Sequence, residues 1–499
     1  MVRIVIGNLH SKIKADKKVI DGLRKLCRYE NDFMTRRQSQ FKIPQYYYLM
    51  NDEGTFFTGL LDGVVNWLNH NKVEFEIEDN RSIQDPPDEE TILAKLRSLK
   101  LLSPPVKLRD YQFDAVAGSL QQTRGLIEVA TGGGKSIIMS TSIYLWGKKT
   151  LVLVDSTDLA RQLREDLEFI NQETVGIIGD GEFDEQRVTI AMVQTLSNKK
   201  AAKKRKVQID KFLKSVEHVV LDECHHAQAG TWRKVLRECG NAGIVHGYTA
   251  TPFTSKVVGE SGEEPNLDIL LRAYIGPNIC RIKTKQFIDQ GWLSAARIHF
   301  IKHRLYFDGS PLPYTEEYER IIVRDEKRNR KACTIISDAY KAGKQVIGFV
   351  TRIEHGETVA DMLVSEFGIP ADAIGFVTGQ SNVQDRKGML KNFKEGDLPI
   401  LLGTVLSEGL NFFCEVGINL SAGDSKKNTI QRLGRVLRKK KTATGDVDRN
   451  EQSFVDYYDF TDDGHPYFYK HGRNRSEVYK EEGHPVNFIE VDIPEEEEE

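Results

Sequence analysis

No apolar stretch in this chain is as long as the roughly 18 residues that a membrane-spanning helix requires, so none is expected. No two cysteines stand at C-x-x-C spacing. The six present, Cys27, Cys224, Cys239, Cys280, Cys333 and Cys414, are scattered over 499 residues. That argues against a zinc module or a disulfide framework and fits a reducing compartment. The opening residues, MVRIVIGNLHSKIK, have neither the long apolar core nor the small-residue cleavage site of a secretory signal. The expectation is a cytoplasmic protein with no membrane partner.

A strong net charge is missing too. The 70 Lys and Arg against 73 Asp and Glu leave −3, which does not advertise a polyanionic partner. The distribution is uneven, however. Residues 1–50 hold eleven Lys and Arg and four Asp and Glu, a surplus of seven, whereas residues 495–499 are all glutamate. A basic binding face at one end and a solvated acidic tail at the other are implied. Hydrophobic content of 39% and charged content of 29% describe an ordinary globular chain, of a length that suits two to four domains.

What is present is organised around residues 125–136, GLIEVATGGGKS. Leu126, Ile127 and Val129 suit a buried strand; three glycines follow, then Lys135 and Ser136, then an apolar stretch, 137–146, long enough for a helix. Strand, glycine turn and helix are the layout of a phosphate-binding loop. Gly132, Gly133 and Gly134 let backbone N–H groups curl around a polyphosphate. The helix N-terminus adds its positive dipole end. Lys135 can reach the β- and γ-phosphates, and the Ser136 hydroxyl can ligate Mg²⁺. Val129 stands where the pattern G-x-x-x-x-G-K-[ST] has glycine. A glycine-rich turn with a chance lysine is the alternative at this point.

Residues 1–83 have the pattern of a small α+β unit: strands at 2–6 and 73–77, helices at 17–28 and 60–68, and a hairpin pairing 46–50 with 55–58 around the turn residues 51–54. Between the first helix and the hairpin lies FMTRRQSQFKIPQYYY, where Arg36, Arg37 and Lys42 are interleaved with aromatics. That mixture suits phosphate contacts and base stacking, or a solvated loop over half-buried rings. Residues 84–105 are a linker, with QDPPDEE at its start, a short helix at 91–102 and Pro104-Pro105. Residues 106–280 alternate helices with apolar strands at 125–129, 150–154, 175–178, 188–192, 218–221 and 244–249. Residues 281–464 repeat the theme at 345–350, 373–377, 400–404, 416–419 and 454–460. Short apolar runs of this kind suit parallel strands covered on both faces. Two tandem doubly wound α/β domains are expected, followed at 465–499 by a helix with Arg473 and Arg475 beside Tyr479 and the acidic tail. The basic run KKAAKKRK at 199–206 suits a solvated loop or a diffuse phosphate-attracting role.

The second informative stretch is 218–226, HVVLDECHH. An apolar strand delivers Asp222 and Glu223 at its C-terminal end, where open α/β sheets bind ligands. One carboxylate there can hold Mg²⁺ and the next can orient a water in line with a γ-phosphate; these are assigned to Asp222 and Glu223. A zinc cluster of Cys224, His225 and His226 is the alternative, disfavoured because adjacent side chains point apart.

Leu108-Arg109-Asp110-Tyr111-Gln112, then ATGGGKS, DECH, Thr249-Ala250-Thr251 and QRLGRVLR at 431–438 form an ordered set that resembles a superfamily 2 helicase or translocase, over about residues 108–438. The resemblance implies two RecA-like domains, ATP and Mg²⁺. It implies Gln112 at the adenine edge with Arg109 nearby, and Thr131, Gly132, Gly133, Gly134, Lys135 and Ser136 around phosphate. Ser136 and Asp222 fall at the metal, and Glu223 at the attacking water. It places Thr249 and Thr251 in coupling, and Gly409 and Asn411 of TVLSEGLN near the ribose. Gln431, Arg435 and Arg438 would complete the site from the second domain. Arg435 and Arg438, three apart, are expected on one helix face, from which an arginine finger raises turnover by roughly 10³–10⁵. Nucleic-acid backbone contacts implied by the same resemblance are Ser156, Arg161, Gln194, Thr195, Thr351, Arg352, Thr378, Gly379 and Thr404, with Arg36, Arg37 and Lys42 added from the N-terminal unit.

Within the superfamily the pattern resembles the group of XPB, RecG-like motors, restriction motors and the phage UvsW-type helicases, the last most of all. That implies DNA as the partner, branched or forked, with RNA–DNA hybrids left open, and work as a monomer in the cytoplasm, the host's if the chain is phage-encoded. Three alternatives stand beside it: an RNA helicase, a double-stranded DNA translocase that does not unwind, and a non-catalytic nucleic-acid binder.

Overall fold

A computed structural model describes residues 2–30, 46–83, 86–99, 107–198, 205–251, 269–307, 313–404, 406, 413–439 and 454–492. The chain divides into two compact units. One comprises Met1–Val129 and Gly134–Ile282; the other comprises Lys283–Glu499, with which Ala130–Gly133 are grouped.

The first unit begins with a four-stranded sheet in the order Thr55–Phe57, His10–Lys14, Val2–Ile6, Phe75–Asp79. The last two strands run parallel and the other pairings are antiparallel. Helix Lys17–Leu26 starts where the Asp16 carboxylate accepts the Val19 N–H at 2.9 Å, an N-cap that satisfies one of the helix's orphan donors. It buries Val19, Ile20 and Leu23, and helix Leu61–His70 buries Val64 and Leu68. The expected hairpin does not form. Thr55–Phe57 pairs with His10–Lys14, and Tyr46–Tyr48 pairs instead with Arg28–Glu30; one isolated bridge, Met50 to Phe56, is what connects the two expected arms. The strand HSKIK escaped notice because it buries only Ser11 and Ile13. The Ser11 hydroxyl lies 3.0 Å from that of Thr58 and ties it to its neighbour.

The same unit holds an eight-stranded sheet in the order Glu182–Phe183, Gly176–Gly179, Val188–Met192, Thr150–Val154, His218–Asp222, Ile244–Thr249, Arg124–Val129, Asn278–Ile282. All its pairings are parallel except that of the short edge strand Glu182–Phe183. Six of these strands match the apolar runs; the two edge strands, 182–183 and 278–282, had no such signature. Thr150–Val154, His218–Asp222 and Ile244–Thr249 are buried along their whole length, as a sheet covered on both faces requires.

The N-terminal sheet is not a tethered module. Its apolar residues and those of the eight-stranded sheet form one continuous core, running from Ile4, Leu23 and Phe56 to Leu221, Tyr274 and Ile275. Phe57 packs on Tyr274 with ring centroids 4.5 Å apart. Gly59 sits so close to the carbonyls of Arg272 and Ala273 that a Cβ would fall 2.2 Å and 2.6 Å from them. Arg124, at the start of the strand leading to the phosphate loop, is buried and donates to the carbonyls of Tyr274, at 2.9 Å, and Asn8.

The second unit is a seven-stranded, all-parallel sheet in the order Ile374–Val377, Ile400–Gly403, Val346–Phe349, Val416–Asn419, Phe454–Phe460, Ala295–Ile301, Val486–Ile489. Five strands match expectation; Ala295–Ile301 and Val486–Ile489 were not foreseen. The second of these shows that the stretch after residue 465 contributes an edge strand as well as helix Pro466–Glu481. Among the described residues no helix is long and apolar enough to cross a membrane, and all six cysteines are free.

Candidate nucleotide and nucleic-acid site

In the eight-stranded sheet, strand Ile244–Thr249 lies between Arg124–Val129 and His218–Asp222. Three parallel strands therefore deliver the phosphate loop, Thr249 and Asp222 to one edge. The loop turns into helix Lys135–Trp146 at Gly134, whose φ of 75° is left-handed, a conformation glycine adopts without steric cost. A Cβ there would also lie 2.4 Å from Gln112 Nε2. Gln112 is buried and accepts the Arg109 N–H at 3.0 Å, so the helix start expected near the base is packed against the phosphate loop.

Lys135 lies between the two carboxylates. Its Nζ is 2.9 Å from Asp222 Oδ1 and also contacts Glu223 Oε1. Asp222 is 5% exposed. Burial pushes its carboxyl above the ordinary range against the pull of Lys135. For Glu223 burial acts the same way, but the Lys135 charge and His225 outweigh it and hold the group well below the carboxylate range. Lys135 is held protonated: burial disfavours its charge, and the two carboxylates more than compensate. Glu223 has a φ of 46°, uncommon for a residue with a Cβ. Its N–H donates to Asp222 Oδ1 at 3.0 Å, which holds the turn. Strain of this kind collects at functional sites.

Thr249 closes the cluster. Its hydroxyl donates to Glu223 Oε2 at 3.0 Å and accepts the Thr251 N–H at 3.1 Å, with His225 Nδ1 also 3.1 Å away. His225 was missed as a partner of Glu223, and the pairing of DECH with a strand-end threonine was its signal. Cys224, His225 and His226 have different polar and packing partners, although the His225 and His226 rings lie 4.2 Å apart. A Cβ on Gly247 would touch Cys224, His225 meets Thr249, and His226 stacks on Trp232 at 5.7 Å and reaches Asp155 at 3.3 Å. Among the described residues no group of three or more His, Cys, Asp or Glu is placed to share a metal ion. The Ser136 hydroxyl supports the Asp166 carboxylate, whose pKa burial raises. Asp166 had no motif to mark it.

Other expected contacts lie at strand ends and helix starts. Ser156 caps helix Thr157–Asn171, accepting the Leu159 N–H at 3.4 Å. Arg161 pairs with Asp180 at 3.0 Å on the surface. Gln194, exposed, donates to the Asp155 carbonyl at 3.1 Å, and Thr195 follows on the same short helix. In the second unit Thr351 and Arg352 follow strand Val346–Phe349 and line a cavity of about 140 Å³. Thr378 turns back on Ser381 and accepts the Gln380 N–H at 3.2 Å, beside exposed Gly379. The Thr404 N–H bonds the Val377 carbonyl at 3.0 Å. Arg36, Arg37, Lys42, Gly409 and Asn411 lie outside the described residues, as do 199–204 and the glutamate tail.

One expectation needs correction. Helix Lys426–Val436 carries buried Gln431 and half-buried Arg435 but ends before Arg438. The Leu437 carbonyl accepts the Ser294 N–H at 2.8 Å and Arg438 bridges to Leu293, so Arg435 and Arg438 do not share a helix face. On helix Pro466–Glu481, Arg475 and Tyr479 point inward. Both are buried on Asp459, at 2.8 Å each.

Residues 105–254 match the family model of the type III restriction enzyme res subunit, and residues 327–440 match the helicase conserved C-terminal domain. Together they take in the phosphate loop, DECH, Thr249 and the arginine helix. The chain belongs to the superfamily 2 helicases. Relatives it resembles include XPB- and UvsW-type proteins. The DNA 3'-5' translocase XPB2 of Sulfurisphaera tokodaii is 23% identical over 387 residues, covering 70% of this chain and 83% of that protein. The ATP-dependent DNA helicase UvsW of Enterobacteria phage T4 is 23% identical over 348 residues, 66% of this chain and 65% of that one. The chain spans 43% of the zebrafish (Danio rerio) XPB subunit it matches at 23% identity, so less than half of that relative's length is represented. Among solved structures, an HsdR fragment of a Vibrio vulnificus YJ016 type I restriction enzyme superposes with a TM-score of 0.57 at 20% identity, over 82% of this chain and 72% of that one. The helicase MrfA bound to DNA and AMPPNP gives 0.55 at 14% identity, over 82% and 56%. The fold is that of tandem RecA-like domains, and ATP use follows from membership of the helicase family.

Proposed function

We propose that this helicase is an ATP-driven DNA motor that works on branched DNA (forks, four-way junctions, D- or R-loops), with residues 1–83 as an accessory DNA-binding region, 106–280 and 281–464 as the motor domains, and the cytoplasm as its compartment. The observation that carries the proposal is the clamp of Lys135 between Asp222 and Glu223. A half-buried lysine held at a glycine-lined loop by two carboxylates suits a polyanion and its counterion. The hard oxygens of Asp222 and Ser136 suit Mg²⁺, which when bound would neutralise phosphate charge. In this reading Lys135 moves from the carboxylates to the phosphates. Glu223, oriented by Thr249, takes the proton of the attacking water. Arg435 and Arg438 supply positive charge from the second domain, and Gln112 holds the base.

ATPase and strand-separation assays across single strands, duplexes, forks, four-way junctions and RNA hybrids test this. Preferential stimulation and unwinding with forked or four-way DNA is expected; equal response to all DNA, or response to RNA alone, would refute branched-DNA specificity. A second reading, translocation on duplex DNA without unwinding, is favoured by the match of 105–254 to a restriction-enzyme motor subunit. Triplex displacement in the absence of unwinding would select it.

A further inference from the structure

We infer that Asn419 and Asp459 are positioning residues for the arginine-bearing helix Lys426–Val436, through a relay that runs from Arg475 by way of Asp459 and Asn419 to Arg432. This rests on the proposed role of that helix in ATP hydrolysis. Arg432 is one turn before Arg435, and residues three apart on a helix are neighbours. Its Nη1 donates to Asn419 Oδ1 at 2.8 Å and to the Ser421 hydroxyl, and its Nη2 lies 3.4 Å from Thr351 Oγ1. One guanidinium thus ties the helix to the ends of two strands, Val346–Phe349 and Val416–Asn419.

The direction of the Asn419 amide decides whether Arg432 can bind there. Asn419 Nδ2 donates to Asp459 Oδ2 at 3.1 Å, which leaves Oδ1 for Arg432 and for the Ser421 hydroxyl, 2.8 Å away. A carboxylate only accepts and a guanidinium only donates. A flipped amide would set oxygen against oxygen and NH₂ against guanidinium, so Asp459 dictates the orientation. Asp459 is in turn fixed from helix Pro466–Glu481. Arg475 Nε and Nη2 donate to it at 2.9 and 2.8 Å, and the Tyr479 hydroxyl at 2.8 Å. Burial and the Asp459 charge raise the Tyr479 pKa well above its ordinary value, so the phenol remains a donor. All four residues of this inner part, Asn419, Asp459, Arg475 and Tyr479, are at most 2% exposed, where a misplaced polar group has no water to turn to. A helix outside the helicase motifs therefore sets the angle at which Arg435 is presented.

The test uses the full chain, with Asn419→Ala against Asn329→Ala as the control. Asn329 is also buried and hydrogen-bonded, to the Val323 carbonyl at 2.9 Å and to His355, but lies outside the relay. Steady-state ATPase with saturating forked DNA should show Asn419→Ala losing roughly tenfold in kcat, the scale of one hydrogen bond to a charged group, with KM for ATP within about twofold of wild type. Asn329→Ala should keep wild-type kcat. Wild-type kcat in Asn419→Ala, an effect on KM alone, or equal kcat losses in both variants would overturn the inference. A wild-type chain without DNA-stimulated ATPase would overturn the proposed function, and the inference with it.

Discussion

The Thr249 hydroxyl donates to the Glu223 carboxylate at 3.0 Å while accepting the Thr251 N–H at 3.1 Å. Glu223 is thereby steered from two sides, by Lys135 and by a threonine whose oxygen also holds the turn toward Thr251. Thr249→Val keeps the shape and removes the donor. We predict a fall of roughly tenfold in DNA-stimulated kcat, as for one hydrogen bond to a charged group, with Thr249→Ser near wild type. Steady-state ATPase assays check this, and an active Thr249→Val would count against the steering role.

At the opposite ends of the same strands, His218 and His246 are buried against each other, 3.2 Å between ring nitrogens. Burial, with His246 and Arg187 adding to it, pulls His218 well below its ordinary pKa. Burial and Arg124 take His246 to about 4 against the opposing Gln122 carbonyl. Both are neutral when folded and protonate nearer 6.5 when unfolded. The unfolded chain thus binds more protons in this window, and stability falls as pH drops from 6.5 toward 4. The His246 share is on the order of 3 kcal/mol. Urea unfolding at stepped pH should show this slope in wild type and a shallower one in His246→Gln; identical slopes would contradict the assignment.

Arg475 is buried on Asp459 and 3.8 Å from Asp462, which in turn pairs with buried Arg328. Removing one member of such a network leaves a buried charge uncompensated. Arg475→Met should cost about 3–5 kcal/mol, measured by denaturant unfolding. A loss under about 1 kcal/mol, the range of surface pairs, would show that the network is not desolvated.

Residues 2–83 share the core of the first unit, so deleting them would uncover Tyr274 and its neighbours and confuse folding with binding. A gentler probe is the ribbon of Arg28–Glu30 and Tyr46–Tyr48. Tyr47 and Tyr48 are exposed, with Tyr47 stacked on Tyr29 at 5.3 Å and Arg24 4.6 Å over Tyr48. Tyr47→Ala with Tyr48→Ala should weaken fork affinity by about 1–3 kcal/mol per lost stack and leave basal ATPase unchanged. Fluorescence anisotropy with forked DNA measures the first; equal affinity would remove the ribbon from the binding face.

Much of this was legible because the informative residues are local. Strand, glycines and Lys135 are contiguous, as are strand, Asp222 and Glu223, and fully buried parallel strands announce themselves as apolar runs. The misses come from pairings that no short window contains. HSKIK is a strand only because Thr55–Phe57 and Val2–Ile6 flank it. Val486–Ile489, half-exposed, is a strand because Ala295–Ile301 accepts it. The inward placement of Arg475 and Tyr479 depends on Asp459 and Asp462, on a distant strand and the turn after it. Arg438 lies past the helix end, where the Leu437 carbonyl accepts the Ser294 N–H and Arg438 bridges to Leu293, a pairing far off in sequence.

The central claim is that Lys135 and Glu223 turn over ATP when DNA is bound. Its most direct test is DNA-stimulated ATPase activity of purified Lys135→Ala and Glu223→Gln, with DNA affinity measured alongside. The account predicts that both variants bind forked DNA like the wild type and hydrolyse ATP at least about a hundredfold more slowly. Wild-type hydrolysis in either variant would contradict it.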